Sequence, residues 1–130
     1  MIRKAIRSGL PLLALASLST AAAPDRFDGP IEGARRVGEL RLDGELFHVQ
    51  GLALEAERIW VTSVDEANRK AYLHAFDRRT GKFLRRLELT DGARYHPGGI
   101  SISGGSIWVP VAEYTPRSSA ILVEVDADSL

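Results

Sequence analysis

The sequence predicts an all-β protein assembled from a repeated four-stranded unit, and three observations carry that prediction. The first is repetition. From His48 the chain runs H-V-Q-G-L-A-L-E-A-E-R-I-W-V, and from His96 it runs H-P-G-G-I-S-I-S-G-G-S-I-W-V. At an offset of 48, His48 matches His96, Gly51 matches Gly99, and Ile59-Trp60-Val61 matches Ile107-Trp108-Val109. The second is where the register drifts. Leu40-Arg41-Leu42 matches Leu87-Glu88-Leu89 at 47, and residues 72–77 match 121–126 at 49. Loops tolerate such single-residue changes. The third is that the apolar runs are short, β-type and divided by turn residues. Four strands per period of about 48 residues is the size of one β-propeller blade. The expected architecture is a β-propeller fragment of about two four-stranded blades, the second incomplete, after an N-terminal signal helix. A single eight-stranded sandwich is the alternative, but it does not require sequence repetition.

Each element follows in order. Residues 1–22 read as a signal peptide, with Arg3, Lys4 and Arg7 ahead of a short apolar core at 10–18 and small residues after it. That core is well short of the roughly 20 residues needed to span a bilayer, so no stable membrane anchor is expected after cleavage. The expected location is periplasmic or secreted. Residues 23–35, with Gly29-Pro30 and Gly33, form an extended lead-in. The partial propeller then occupies 36–130, with repeats at about 43–90 and 91–130. Predicted strands are 37–42, 49–54, 58–63, 71–77 and 83–89 in the first part, then 98–102, 106–111 and 119–125. Asp77, with Gly81 four residues on, marks a tight turn, and Asp126 holds the equivalent slot. The strand equivalent to 83–89 has no counterpart after Asp126, so an isolated chain would carry an open sheet edge.

Charge and composition narrow the function classes. Removing the signal peptide leaves 14 basic residues against 17 acidic ones. With no basic stripe to neutralise phosphates, nucleic acid is not an expected partner. The chain has no Cys, so stability must come from sheet hydrogen bonding and packing rather than from disulfides.

The elements H-x-x-G-[LI]-x-[LI], [RS]-I-W-V and F-D-R-R-T-G-K resemble the secreted propellers of the NHL-repeat, gluconolactonase-like and quinoprotein-like groups. The stretch Tyr95-His96-Pro97-Gly98-Gly99-Ile100, followed by residues 106–114, is most similar to an uncharacterised bacterial exported propeller family of unknown function. The resemblance covers about residues 36–130 and implies a propeller fold. It brings no catalytic motif with it.

Propeller geometry directs the loops between sheets and the second hairpin of each sheet to one face. Those segments carry His48, Gln50, Asp65, Glu66, Asn68, His96, Glu113 and Tyr114, which are the candidate ligand-binding residues. Polar groups on loops over a rigid scaffold are the default ligand site. No His-x-His or His-Glu-x-x-His spacing supports a zinc site, and no nucleophile has a recognisable setting, so no metal ligands or catalytic residues are assigned. The recurrence of His48 and His96 favours a structural role in fixing the crossing between blades. Asp65, Glu66 and Asn68 are oxygen donors of the kind calcium prefers, which leaves calcium possible as a cofactor. Two function classes follow. One is a binding or scaffold propeller for a small molecule, glycan or envelope protein. The other is a calcium-dependent hydrolase or lactonase, which needs carboxylates at the starts of inner strands, where this chain has His48, Gln50 and His96. Trp60 and Trp108 are expected to pack between blades.

Overall fold

The computed structural model describes residues 33–129. The expected signal peptide and most of the lead-in lie outside the described residues. The chain divides into two compact units, Met1–Gly38 and Glu39–Leu130. The described part of the first is a turn at Gly33, whose φ is +79°, and the non-helical backbone that follows it. The second unit holds eight strands, and no helix occurs among the described residues.

The strands are β1 (His48–Leu54), β2 (Arg58–Asp65), β3 (Lys70–Asp77), β4 (Phe83–Glu88), β5 (Arg94–Pro97), β6 (Ser101–Ser103), β7 (Ser106–Glu113) and β8 (Ala120–Asp126). The first sheet is an antiparallel meander in the order β1-β2-β3-β4. In the second sheet, β5 and β6 both pair with β7, and β8 lies on the other side of β7. The second sheet thus has four strand segments in three strand positions. The all-β, two-sheet, propeller-like architecture agrees with the sequence.

The repeat holds down to individual pairs. His48 faces Val64 and Val49 faces Ser63, and 48 residues later His96 faces Ala112 and Pro97 faces Val111. Arg58 opposite Asp77 recurs as Ser106 opposite Asp126, and Trp60 opposite Ala75 recurs as Trp108 opposite Glu124. Each side chain therefore keeps its face from one sheet to the next, because a one-residue slip would reverse every position.

Two segments depart from expectation. Residues 37–42 are not a strand. The backbone following them is tied to the β3–β4 turn instead: Asp43 N donates to Gly81 O at 2.9 Å, and the Arg41 carbonyl lies against Gly81. The expected strand at 98–102 is shortened to β6 at Ser101, with residues 98–100 outside any strand and β5 ending before them at Pro97. In the first sheet Gly51 pairs with Thr62, but the residue 48 positions after Thr62 is Pro110, which has no N–H to give. Gly98 N still donates to Pro110 O at 2.8 Å, and pairing resumes only at Ser101 opposite Trp108.

The main core lies between the sheets. Trp60, Leu73 and Ala75 from the first sheet meet Ile107, Val109, Val111 and Val125 from the second. Trp60 is wholly buried, and its indole N–H donates to Glu55 Oε2 at 2.6 Å, which satisfies its one polar atom. A smaller cluster on the opposite face of the first sheet joins Ile59, Val61 and Phe76 to Leu42 and Leu46. Trp60 packs between the sheets as expected, while Trp108 faces away from the first sheet and has no further sheet against it among the described residues. Trp108 sits at the position equivalent to Trp60 but is only half-buried. Its face, shared with Pro110 and Leu122, is the one turned away from the first sheet, and Leu122 is 62% exposed.

At the end of the sheets carrying the β1–β2 and β3–β4 turns, side chains close the junction. Asp77 Oδ1 accepts from Thr80 N at 2.7 Å, Thr80 Oγ1 at 2.6 Å and Arg79 N at 3.1 Å. Those bonds, the Thr80 hydroxyl foremost, hold its carboxyl below the usual range. Asp126 repeats the motif by accepting from Asp128 N at 2.8 Å. Three guanidinium groups donate to carbonyl oxygens: Arg58 to Ala127, Arg78 to Glu55 and Arg85 to Ser129.

Two predictions follow from this packing, both read as urea unfolding followed by circular dichroism. Trp60→Ala should cost roughly 3–5 kcal/mol, whereas Trp108→Ala should cost only about 1–2 kcal/mol. Equal costs would mean that the Trp108 face is covered as fully as that of Trp60. Gly81 and Gly92 both have positive φ, +73° and +58°. A Cβ on Gly92 would meet nothing within 4 Å, while one on Gly81 would lie 2.0 Å from the Arg41 carbonyl oxygen. Gly92→Ala should therefore lose only the left-handed penalty, about 1–2 kcal/mol. Gly81→Ala should lose clearly more, and parity between the two would remove the role given to the Arg41 contact.

Candidate functional site

The candidate residues cluster at the opposite end of the sheets, around the β2–β3 and β7–β8 connections. Glu66 to Arg69 make a four-residue turn, in which Arg69 N donates to Glu66 O at 3.3 Å and Arg69 takes a left-handed φ of 55°. Asp65 organises it. Its Oδ1 accepts from Asn68 N at 3.1 Å and its Oδ2 from Asn68 Nδ2 at 2.7 Å. Both carboxylate oxygens are thus engaged within their own hairpin, an Asx-type arrangement that explains Asp and Asn at this spacing. Glu66 is exposed on the same turn. His48 and Gln50 form a second pair, Gln50 Nε2 to His48 Nδ1 at 3.3 Å, with Gln50 at the bulge in β1.

The third group is the one that forms a pocket. A bulge in β5 between Arg94 and His96 sets Tyr95 outside the ladder. The Tyr95 ring stacks on Tyr114 at 6.0 Å between centroids, and His96 meets the same Tyr114 ring edge-on at 4.6 Å. Arg69 reaches across from the first sheet and lies over Tyr95 at 5.1 Å. Glu113 is held by Ser119, whose Oγ donates to Oε1 at 2.6 Å. Ser119 Oγ in turn accepts from Arg94 Nε at 2.9 Å. Arg94 is also paired with Asp91 at 2.7 Å. A cavity of about 310 Å³ opens here, lined by His96, Ala112, Glu113, Tyr114, Thr115, Pro116 and Ser118.

The eight candidate residues are therefore in separate sets. His96, Glu113 and Tyr114 share one pocket, Asp65 and Asn68 bond each other, His48 pairs with Gln50, and Glu66 stands exposed on the β2–β3 turn. Among the described residues, no three His, Asp or Glu side chains converge in a group that could hold a metal ion. The sequence did not single out Tyr95, Arg69 or Ser119. Phe47-His48 recurs as Tyr95-His96 at the same offset of 48 and places both aromatics in the crossing segments, but only the histidines are among the candidate residues. Phe47 behaves alike, stacking on Tyr72 at 5.4 Å, with Arg86 over Tyr72 at 4.4 Å.

The sequence also passed over the third histidine. His74 is wholly buried on the first sheet, and its Nε2 lies 2.7 Å from Ser63 Oγ. Its Nδ1 is buried with no partner. Arg86 faces it from the neighbouring strand. Burial, and then the Arg86 cation, hold the imidazole down at about 4. Although this is a Ser–His pair, it is closed to any substrate because both residues are fully buried.

Residues 40–130 match the profile of a Family of unknown function (DUF6454), and the chain belongs to that family. No curated protein matches it, and no solved structure matches it.

His74 gives stability a pH dependence whose sign is fixed. The folded value, about 4, lies below the unfolded one of about 6.5. The contribution is therefore complete above about pH 6.5 and is lost as pH falls toward 4. Urea midpoints measured between those limits should fall with pH. In the double variant His74→Phe/Ser63→Ala, which removes both polar partners together, that slope should flatten. An unchanged slope would assign the acid sensitivity to other groups.

Proposed function

We propose that this member of a family of unknown function is an exported, propeller-type binding or scaffold protein that takes a small ligand in the pocket formed by His96, Glu113 and Tyr114. The single observation that carries this is the convergence of His96, from β5, with Glu113 and Tyr114, from the end of β7 and the connection after it, on one cavity at the end of the second sheet. Export rests on the basic, apolar and small-residue pattern of the first 22 residues.

Binding is favoured over calcium-dependent hydrolysis by what the carboxylates already do. Asp65 spends both oxygens on Asn68, and Glu113 has one oxygen bonded to Ser119. A hydrolase of that type needs several convergent oxygen ligands. The pocket instead offers a fixed aromatic surface rimmed by a few polar groups, which suits recognition. Tyr95, Arg69 and Arg94 act behind that surface by holding Tyr114 and Glu113 in place.

The test is a thermal-shift panel of neutral, cationic and anionic small molecules on the full chain. At least one class should raise the melting temperature, and the rise should vanish in Glu113→Ala/Tyr114→Ala. The unliganded double variant should lose some stability with the Tyr95–Tyr114 stack and the Glu113–Ser119 bond but still unfold in one cooperative transition. If no class raises the melting temperature, or if the double variant keeps the rise, the pocket is not the site.

A further inference from the structure

Resting on that assignment of the pocket, we propose that its ligand is a neutral saccharide, with one sugar ring stacked on Tyr114 and its hydroxyls met by Glu113 and His96. Three features of the site point to this chemistry.

The first is the aromatic surface. Tyr114 is 40% exposed, so its ring can be reached, yet it is not free to swing. Tyr95 backs it at 6.0 Å and His96 abuts its edge at 4.6 Å. A held ring presents a flat apolar face at little entropic cost, which suits the C–H face of a pyranose.

The second is the mixture of polar groups. Glu113 accepts hydrogen bonds, the Tyr114 and Ser118 hydroxyls can donate or accept, and the two ring nitrogens of His96 add further polar sites. Vicinal hydroxyls of a sugar do both, so they can satisfy such a set. A purely apolar ligand would leave those groups desolvated and unpaired.

The third is charge. Glu113 is the one charged residue lining the cavity, so an anionic ligand would be repelled. Charge alone therefore excludes only the anion, and the choice of a neutral sugar over a cation rests on the mixture of donors and acceptors, with glucosamine as its direct competitor in the test. At about 310 Å³ the cavity lies at the small end of ligand pockets, which run from about 300 to 1,000 Å³. That admits one sugar or a short glycan terminus.

The experiment is isothermal titration of the full chain with the methyl glycosides of glucose, galactose and mannose, beside glucosamine and glucuronate. The last two, used as their methyl glycosides, keep the pyranose ring and replace one group, the C2 hydroxyl or the C6 hydroxymethyl, by a charged one. At least one neutral glycoside should bind with a Kd on the order of 0.1–10 mM, and at least about 10-fold more tightly than glucuronate. Tyr114→Ala should abolish that binding, while Tyr114→Phe should stay within about 3-fold, because the ring rather than its hydroxyl supplies the platform. Glu113→Gln keeps the shape of the site and should narrow the discrimination against glucuronate. Tighter binding of glucosamine or glucuronate, lost in Tyr114→Ala, would overturn the neutral saccharide while leaving the pocket as the ligand site. Neutral binding indifferent to Tyr114→Ala would overturn it too. If none of the five sugars binds, the proposal fails, and the broader thermal-shift panel decides separately whether the pocket binds anything else.

Discussion

The structure depends on one close approach of backbone to backbone. A Cβ built on Gly51 would lie 2.8 Å from Gly99 Cα and 3.0 Å from the Gly98 carbonyl oxygen. No other residue fits there, because real Cβ atoms do not come that near to main chain. Thr62, paired with Gly51 on the neighbouring strand, donates its hydroxyl to that same Gly98 oxygen at 2.7 Å. The two sheets therefore meet where a glycine, a threonine and a Gly-Gly step coincide. The aliphatic core is then aligned around that point, with Trp60 on one side and Val109 on the other. Broken pairing at Pro110 belongs to the same constraint, since it leaves the Gly98 oxygen for the threonine rather than for a ladder.

Much of this could be read from the chain. Offsets of 47, 48 and 49 predicted which residues would be equivalent, and the pairs Trp60–Ala75 and Trp108–Glu124 occupy matching registers. Periodicity carries register well, because the alternation of faces is a local property of extended backbone. Burial was not legible in the same way. Trp60 and Trp108 have the same local sequence, yet only one is covered, and cover depends on what packs against a face rather than on the strand itself. The same distinction explains residues 37–42. Their alternation suits a strand, but a strand needs a partner edge, and the neighbouring backbone bonds to the β3–β4 turn instead.

The candidate site was legible by end of the sheet and not by cluster. Side chains from the predicted loops do gather at one end, but the carboxylates there have different occupations. Asp65 shapes its own hairpin, whereas Glu113 is aimed by Ser119, just ahead of the strand opposite. Spacing alone cannot separate a turn-forming Asp from a ligand-facing Glu, because both are short-range polar patterns in loops. Tyr95 was hidden for another reason. It belongs to a bulge, and a bulge re-aims a side chain in a way that period-two alternation does not anticipate.

The two ends of the sheets also differ in how they respond to their surroundings. One end is stitched by guanidinium groups donating to carbonyl oxygens, from Arg58, Arg78 and Arg85. Neither partner in such a bond changes protonation in any ordinary environment, since guanidinium keeps its proton and an amide oxygen does not take one. The other end carries imidazole, phenol and carboxylate groups on and around its cavity. On the export proposed above, the protein would meet media of varying acidity and ionic composition. The guanidinium–carbonyl bonds at the first end are silent to that variation, whereas the Asp77 carboxylate beside them and the titratable groups around the cavity are the parts free to respond.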